Sequence, residues 1–477
     1  MLSTRRALAY TFSAQYLALA IQFAATVVIA RLLTPAEIGI FSVGAALIGL
    51  AHLLRDFGSG QYIVQEEELT EDRIRAAFTV TLFLGWSLAA IILLIAPIAA
   101  SYYEQAGLRP VLTLLSLNFI LLPFGSITQA YCRREMNFKP SALASVASTL
   151  VQSSTSVLLA FNGFSYMSLA WASIAGTLTT ISVLFLMRPA GLPFLPGFRE
   201  LRRVLGFGSK LSLVYVLVEL GNVVPELVLG KVQSFHAVGL FSRTQGTISM
   251  FDRLVMQGIG PVIGPVFAQQ KRADQDIKAA FMFGTTCVTG LAWAFYSNLV
   301  VLAKPAVLIL FGEKWIDTVP LIQMWCVAAV IGQLTSLVEQ AFTNIGEVDR
   351  LMRFSAIMQP IRIMLLGASA AAGLEYLLLA IMFLPIIRFI LLWPHLSVVF
   401  GVRLNEYLGI LRTSGSPAAI SAAVALMVSI SVRSIGDAGL LVEAFLASVA
   451  AVLVWAVMLL LVEHPLAKEV RQMLEKF

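Results

Sequence analysis

Charge is scarce in this chain. Only 13% of its 477 residues are Asp, Glu, Lys or Arg, whereas 58% are hydrophobic. A soluble globular protein carries about 25% charged and about 45–50% apolar residues. So little polar material cannot coat a soluble surface, and so much apolar material cannot be hidden in one soluble core. The composition excludes a cytosolic enzyme, a nucleic-acid-binding domain and a disordered chain. Reactive side chains are equally few. The three cysteines, Cys132, Cys287 and Cys326, lie in or beside apolar segments without metal-ligand or paired spacing, and read as small hydrophobes. The four histidines, His52, His236, His395 and His464, are far apart and read as helix-end or interface residues. No GxSxG, HExxH or Walker loop is present, which excludes ATP-driven transport by this chain alone and implies neither cofactor nor metal. No polar stretch is long enough for a soluble domain. The longest external loop, residues 302–320, is short for a membrane-embedded sugar transferase, polymerase or ligase, which must hold an acceptor.

What is abundant is apolar runs. Charge clusters, Gly and Pro delimit fourteen of them: 9–30, 38–60, 77–100, 109–131, 141–161, 165–187, 209–230, 238–265, 279–302, 320–343, 354–373, 375–395, 416–434 and 438–462. Each is near the ~20 residues that cross a hydrocarbon layer. The fold class expected is an all-α polytopic membrane protein of about 14 transmembrane helices. The first run follows Arg5 and Arg6 but is too long for a signal-peptide core, and Arg31 follows without a small-residue cleavage site; it reads as an uncleaved span. With the N-terminus inside, the inner segments hold 22 of the 33 basic residues and the outer loops 7. That asymmetry predicts both termini in the cytoplasm. The net charge of +6 is therefore a topology marker rather than a nucleic-acid signal.

An internal echo organises the runs. ARLLTPAEIGIFS (30–42) and GKVQSFHAVGLFS (230–242) align at an offset of 200, matching Arg31 with Lys231, Gly39 with Gly239, Phe41 with Phe241 and Ser42 with Ser242. A looser echo pairs Pro110 with Pro320, each opening a span after an aromatic-acidic loop. Six spans separate the copies, so both have the same orientation. This predicts two parallel six-helix lobes around a central cavity plus two extra helices. The expected division is an N-terminal lobe at 1–190, a cytoplasmic interfacial linker at 191–208, a C-terminal lobe at 209–400, spans 13 and 14 at 401–463, and an amphipathic tail at 464–477. The tail sets Val470, Met473, Leu474 and Phe477 beside Lys468, Arg471 and Lys476, and the linker sets Arg199, Arg202 and Arg203 beside Leu201, Val204 and Leu205, both suited to anionic lipid. Segment 65–75 reads as an ordinary loop helix with Thr70 as N-cap.

Charges within spans are expensive and mark interior cavities or partners. The basic ones are Arg55, Arg253, Arg362 and Arg388; the acidic ones are Glu219, Asp252 and Glu339. Two accounts fit them. Neighbouring helices pair the charges, for example Glu219 with Arg253 or Glu339 with Arg362. Alternatively, the arginines form a cationic cavity for an anionic headgroup, since guanidinium holds phosphate through paired hydrogen bonds. Glu219, Asp252 and Glu339 are then salt-bridge partners or carriers of a coupling proton or sodium ion. Prolines 97, 123, 225, 261, 265, 360 and 385 lie inside spans and kink or soften them.

The stretches ARLLTPAEIGIFSVG (30–44), DFGSGQYIVQ (56–65), CRREMNFKP (132–140), VGLFSRTQ (238–245) and FGEKWIDTVPLIQMW (311–325) together resemble the polysaccharide transport branch of the multidrug/oligosaccharidyl-lipid/polysaccharide superfamily, which includes Wzx-type flippases and colanic-acid-type exporters. The resemblance implies fourteen spans in a two-lobed body with a central cavity. It also implies flipping of undecaprenyl-diphosphate-linked oligosaccharide across the bacterial inner membrane, for exopolysaccharide, capsule or O-antigen assembly. The partners it implies are that lipid-linked glycan, membrane lipids, and a polysaccharide polymerase and chain-length regulator. Arg55 lies where lipid II flippases of the superfamily have basic residues. Their cationic pattern in span 1 is replaced here by QFAATVVIA (22–30), which disfavours lipid II. The acidic-Asn pair common near the outer end of span 7 is replaced by Pro225 and Glu226. Two alternatives stay open: a multidrug antiporter of the same superfamily, which would prefer an acidic cavity, and a membrane glycan polymerase.

Overall fold

In hydrocarbon every backbone N–H and C=O must be satisfied within its own segment, so long apolar runs fold as helices. The computed structural model describes residues 4–55, 59–189, 191–193, 195–273, 275–434 and 439–474; within these, side chains are described except at 4–12, 53–55, 59, 61, 202, 205–216, 257–262, 470 and 472–474. Among the described residues every regular element is a helix, and there are no strands. The first part of the chain forms α1 (Thr4–Leu32), α2 (Pro35–Arg55), α3 (Ser59–Gln65), α4 (Glu71–Tyr102), α5 (Leu108–Leu121), α6 (Pro123–Arg134), α7 (Lys139–Phe161), α8 (Met167–Leu186) and α9 (Leu201–Val232). Next come α10 (Phe235–Phe251), α11 (Gln257–Arg272), α12 (Ile277–Leu310), α13 (Thr318–Gly332), α14 (Val338–Asn344), α15 (Val348–Ala372) and α16 (Leu374–Phe400). Last are α17 (Leu404–Ile410), α18 (Ser416–Ser434), α19 (Leu440–Leu461) and α20 (Pro465–Leu474).

Eleven helices among the described residues are long and apolar enough to cross a membrane, and the bent pair α5–α6 makes up to twelve. The other two expected spans fall on α9, where many side chains lie outside the description, and on α10–α11, which a π turn at Asp252–Met256 interrupts. Large apolar side chains cover the outward faces of the spans, among them Leu94, Ile98, Leu158, Leu186 and Leu461. A soluble protein rarely exposes so continuous an apolar surface, and lipid is the solvent that suits it. The chain is a multi-pass membrane protein.

Local chemistry sets the helix ends. Pro35 opens α2 behind a reciprocal cap: Thr34 N–H donates to Glu37 Oε2 at 2.7 Å and Glu37 N–H to Thr34 Oγ1 at 3.3 Å. Thr70 caps α4 as its sequence predicts, accepting from Arg73 N–H, with Glu71 and Asp72 in the first turn. Pro123 does more than kink a span. It starts a new helix, and α6 leaves α5 at 49°.

Contacts divide the chain into two units, Met1–Gly239 and Leu240–Phe477. In the first, α7 packs along α8 and α1, α4 along α5, and α2 along α9 and α5. Gly39 of α2 and Gly239 of α10 both lie in this unit and meet reciprocally. A Cβ at Gly39 would overlap the carbonyl oxygen of Phe235, and a Cβ at Gly239 would overlap that of Pro35. Each helix thus offers its glycine to the carbonyl four residues upstream of the other's glycine. One end of the unit is closed by Tyr62, Ile63, Ile74, Phe78, Ile127, Leu192 and Val204, which bring α3, α4, α6 and the 191–204 segment into one core. Thr79 Oγ1 hydrogen-bonds both the N–H (2.8 Å) and the carbonyl (2.9 Å) of Gly197, fixing that segment to α4. In the second unit α12 is central, packed by α13, α18 and α19, with α16 against α13 and α15.

Candidate functional site

Within the first unit, Glu219 sits half-buried on α9 facing α2. Its Oε2 accepts from Asn222 Nδ2 at 3.0 Å, one helical turn on, and its Oε1 lies 3.4 Å from where a Cβ at Gly49 would be. Gly49 therefore leaves room for a carboxylate between two packed helices. Arg55 is the last residue of α2, and its side chain lies outside the described residues.

In the second unit, Arg388 of α16 donates from Nη2 to Glu339 Oε1 of α14 at 3.0 Å, both side chains being partly exposed. The carboxylate expected to pair with Arg362 is thus held by Arg388. Arg362 is half-buried on α15. Asp252 and Arg253 open the π turn between α10 and α11, and Asp252 Oδ1 accepts from Gln333 Nε2 at 3.3 Å. Gln333 lies on the 3₁₀ turn, Gln333–Thr335, that separates α13 from α14. Two spans are therefore interrupted where their polar side chains meet.

Three charged groups escape a search for polar residues in the middle of spans. Glu443, in the first turn of α19, is 4% exposed and accepts from Ser429 Oγ at 2.6 Å and from Arg433 Nη2 at 2.6 Å. Its signal is an acid opening an otherwise apolar run, close to a basic residue ending the previous one. Arg243 of α10 lies over the rings of Phe311 (5.2 Å) and Trp315 (4.9 Å), a cation–π stack in place of a carboxylate. Glu66, below α3, collects Arg73 and Arg203, while Arg134 donates to the carbonyls of Ile63, Glu66 and Glu67. Burial alone would raise the Glu66 carboxyl; the Tyr62 hydroxyl and the Arg203 and Arg73 guanidiniums outweigh it and hold it below the usual carboxylate range.

The fold and these residues can be set beside known proteins. The chain is 24% identical over 86% of its length, and 82% of the relative's, to the succinoglycan biosynthesis transport protein ExoT of Rhizobium meliloti (strain 1021). It is 22% identical over 69% of its length, and 67% of the relative's, to the lipopolysaccharide biosynthesis protein WzxC of Escherichia coli (strain K12). Its fold is that of the lipid II flippase MurJ in an inward closed conformation, with a TM-score of 0.72 at 11% identity over 95% of this chain and 98% of that one. An inward-facing multidrug resistance MATE family transporter matches at a TM-score of 0.64, with 16% identity over 80% of this chain and 95% of that one. The model of a family described as polysaccharide biosynthesis protein matches residues 28–320, more than half of the chain, and the protein belongs to that family.

Proposed function

We propose that this protein moves undecaprenyl-diphosphate-linked oligosaccharide repeat units from the cytoplasmic to the periplasmic leaflet of the bacterial inner membrane, as a transporter without catalysis of its own. The observation that carries the reading is the match over 86% of the chain to a relative named as a succinoglycan biosynthesis transport protein. A lipid-linked glycan cannot cross hydrocarbon unaided, because its sugars and diphosphate would lose their hydration. A polar path through the protein supplies substitute partners while the lipid tail stays in the bilayer. Arg55, Arg253, Arg362 and Arg388 are the residues we assign to the diphosphate, and alternating access is the cycle we assign to the transport. Fourteen crossings with both termini cytoplasmic agree with the basic-residue asymmetry. The reciprocal contact of Gly39 with Gly239 supports a duplicated architecture. A polymerase and a chain-length regulator are the partners that would take the product.

The test is sidedness. A deletion strain should accumulate single lipid-linked repeat units on the cytoplasmic face of the inner membrane, with unchanged drug sensitivity. Accumulation on the periplasmic face would make the protein a polymerase instead, and drug sensitivity without glycan accumulation would make it a drug antiporter.

A further inference from the structure

One face of α7 is polar along a helix that hydrocarbon should make apolar all round. At about 100° per residue, Ser141, Ser145, Ser148, Thr149, Gln152 and Thr155 fall within one arc of about 120°. The opposite arc carries Leu143, Leu150, Leu158 and Phe161, all exposed, as contact with lipid requires. Ser145 and Gln152 are exposed too, on the polar side. The helix therefore meets two different surroundings, and only one of them is hydrocarbon.

Hydroxyls on a membrane helix can close onto their own backbone. Ser148 and Ser156 do so, donating to the carbonyls of Ser145 and Ser153 at 3.1 and 2.8 Å. Two groups on the arc are left over. Ser141 Oγ is buried without a hydrogen-bond partner. The amide of Gln152, near the middle of its span, makes no hydrogen bond among the described residues. Gly176 of α8 leaves the room this amide occupies, since a Cβ there would come within 3.1 Å of both Cβ and Oε1 of Gln152. An amide held in hydrocarbon would lose its water with nothing in exchange. The neighbouring α1, packed along α7, carries another exposed amide, Gln22, near the middle of its own span.

We propose that the polar arc of α7 binds the uncharged sugars of the cargo, with Gln152 as its specificity-determining contact. The inference rests on the glycan-transport reading and adds which part of the substrate this face takes. Amides and hydroxyls both donate and accept, as sugar hydroxyls do, so the two sets pair in either sense. No charged side chain lies on α7 beyond Lys139 at its start, whereas a diphosphate calls for guanidinium. From Ser141 to Thr155 the arc is about 21 Å long, enough to follow an oligosaccharide rather than a single sugar. Pairing with a second copy of the chain would favour a small residue at the centre of the arc, where Gln152 stands instead.

The test labels cysteines of the full-length protein in membranes with a water-soluble maleimide. Ser145→Cys and Gln152→Cys on the polar arc are compared with Leu150→Cys and Leu158→Cys on the opposite one. The wild type, with Cys132 and Cys326 buried, sets the background. The two polar-arc variants should label and the two others should not. The sugar probe is the oligosaccharide released by mild acid from the host's own lipid-linked repeat units. It should slow labelling of Gln152→Cys several-fold, and inorganic diphosphate should not. Ser145→Cys carries the comparison should Gln152→Cys fail to reach the membrane. In cells, Gln152→Leu should lower polymer export about tenfold at matched protein levels, and Gln152→Asn, which keeps an amide, should lower it less. Equal labelling of both arcs, no protection by the oligosaccharide, or a disulfide joining two copies through Gln152→Cys would each overturn the assignment. The transport reading would survive any of these, because it stands or falls on the face at which the deletion strain accumulates repeat units.

Discussion

Arg203 grips Glu66 with two arms of its guanidinium: Nη2 donates to Oε1 at 2.8 Å and Nε to Oε2 at 3.3 Å. The pair ties the start of α9 to the loop below α3, and Arg73 reaches the same carboxylate at 3.4 Å. Arg203 is half-exposed and its pair is screened by solvent, so Arg203→Ala should cost little. Glu66→Ala should cost more, roughly 1–3 kcal/mol, because it leaves the mostly buried Arg73 with only the exposed carboxylate of Glu68 at 3.9 Å. The folded carboxyl is held below the ordinary value of 4.5, so the stabilisation is present above that pH and is lost as pH falls through the folded value. Thermal midpoints of the two variants in detergent, compared at neutral pH, check the ranking; equal loss in both would mean that Glu66 has no role beyond the Arg203 pair.

The glycine contact makes a second prediction. Gly39→Ala and Gly239→Ala each push a methyl group into a backbone carbonyl, of Phe235 and Pro35 respectively, and backbone cannot rotate away as a side chain can. Each should destabilise by roughly 1–3 kcal/mol. Gly246→Ala, with nothing within 4 Å of its added methyl, is the control and should be neutral or slightly stabilising. If all three alanines behave alike, helix propensity rather than the crossing governs these positions.

His464 gives the molecule an acid sensitivity of its own. It is fully buried at the start of α20, its Nδ1 accepts from Leu466 N–H at 3.1 Å, and its Nε2 lies 3.2 Å from Ser414 Oγ. Burial pushes the imidazole down to about 4 from 6.5, against a smaller opposing effect of the Thr286 backbone. The unfolded chain therefore binds a proton that the folded chain refuses, and stability should fall as pH drops from 6.5 towards 4. His464→Gln should flatten that slope. Midpoints measured between pH 7 and pH 4 decide it, and an identical slope in the variant would assign the acid sensitivity to other groups.

What the sequence makes legible follows from how far its signals reach. Hydropathy locates the helices, because lipid forces each apolar run to satisfy its own backbone. Thr70 and its acidic neighbours mark the start of α4 because capping is local. The run at 38–60 nonetheless outlasts α2, which ends at Arg55, and reaches the first residues of α3, and Pro123 divides another run. Pairings that join distant segments leave no local trace. Asp252 and Gln333 are 81 positions apart, and Arg388 and Glu339 are 49 apart. Glu443 lies at a span end, where an acid resembles an ordinary helix start until its buried contact with Arg433 is known.

The arginines remain the sharpest test of the proposed cargo. Arg388 already has a carboxylate partner, so two roles make different predictions for it. If the pair is structural, Arg388→Gln lowers the amount of protein in the membrane, and adding Glu339→Gln restores it by removing the uncompensated charge. If Arg388 also binds diphosphate, export stays low in the double variant even at matched protein levels. For Arg55, Arg253 and Arg362, a Lys substitution keeps a point charge but loses the paired donors, whereas Gln loses both. Polymer export at matched protein levels should therefore fall in the order Arg, Lys, Gln, with Gln at Arg253 or Arg362 costing at least about tenfold, the equivalent of one charge-assisted hydrogen bond. Four Gln variants with intact export would remove diphosphate binding from these arginines, and would leave the sugars as the part of the substrate that the protein recognises.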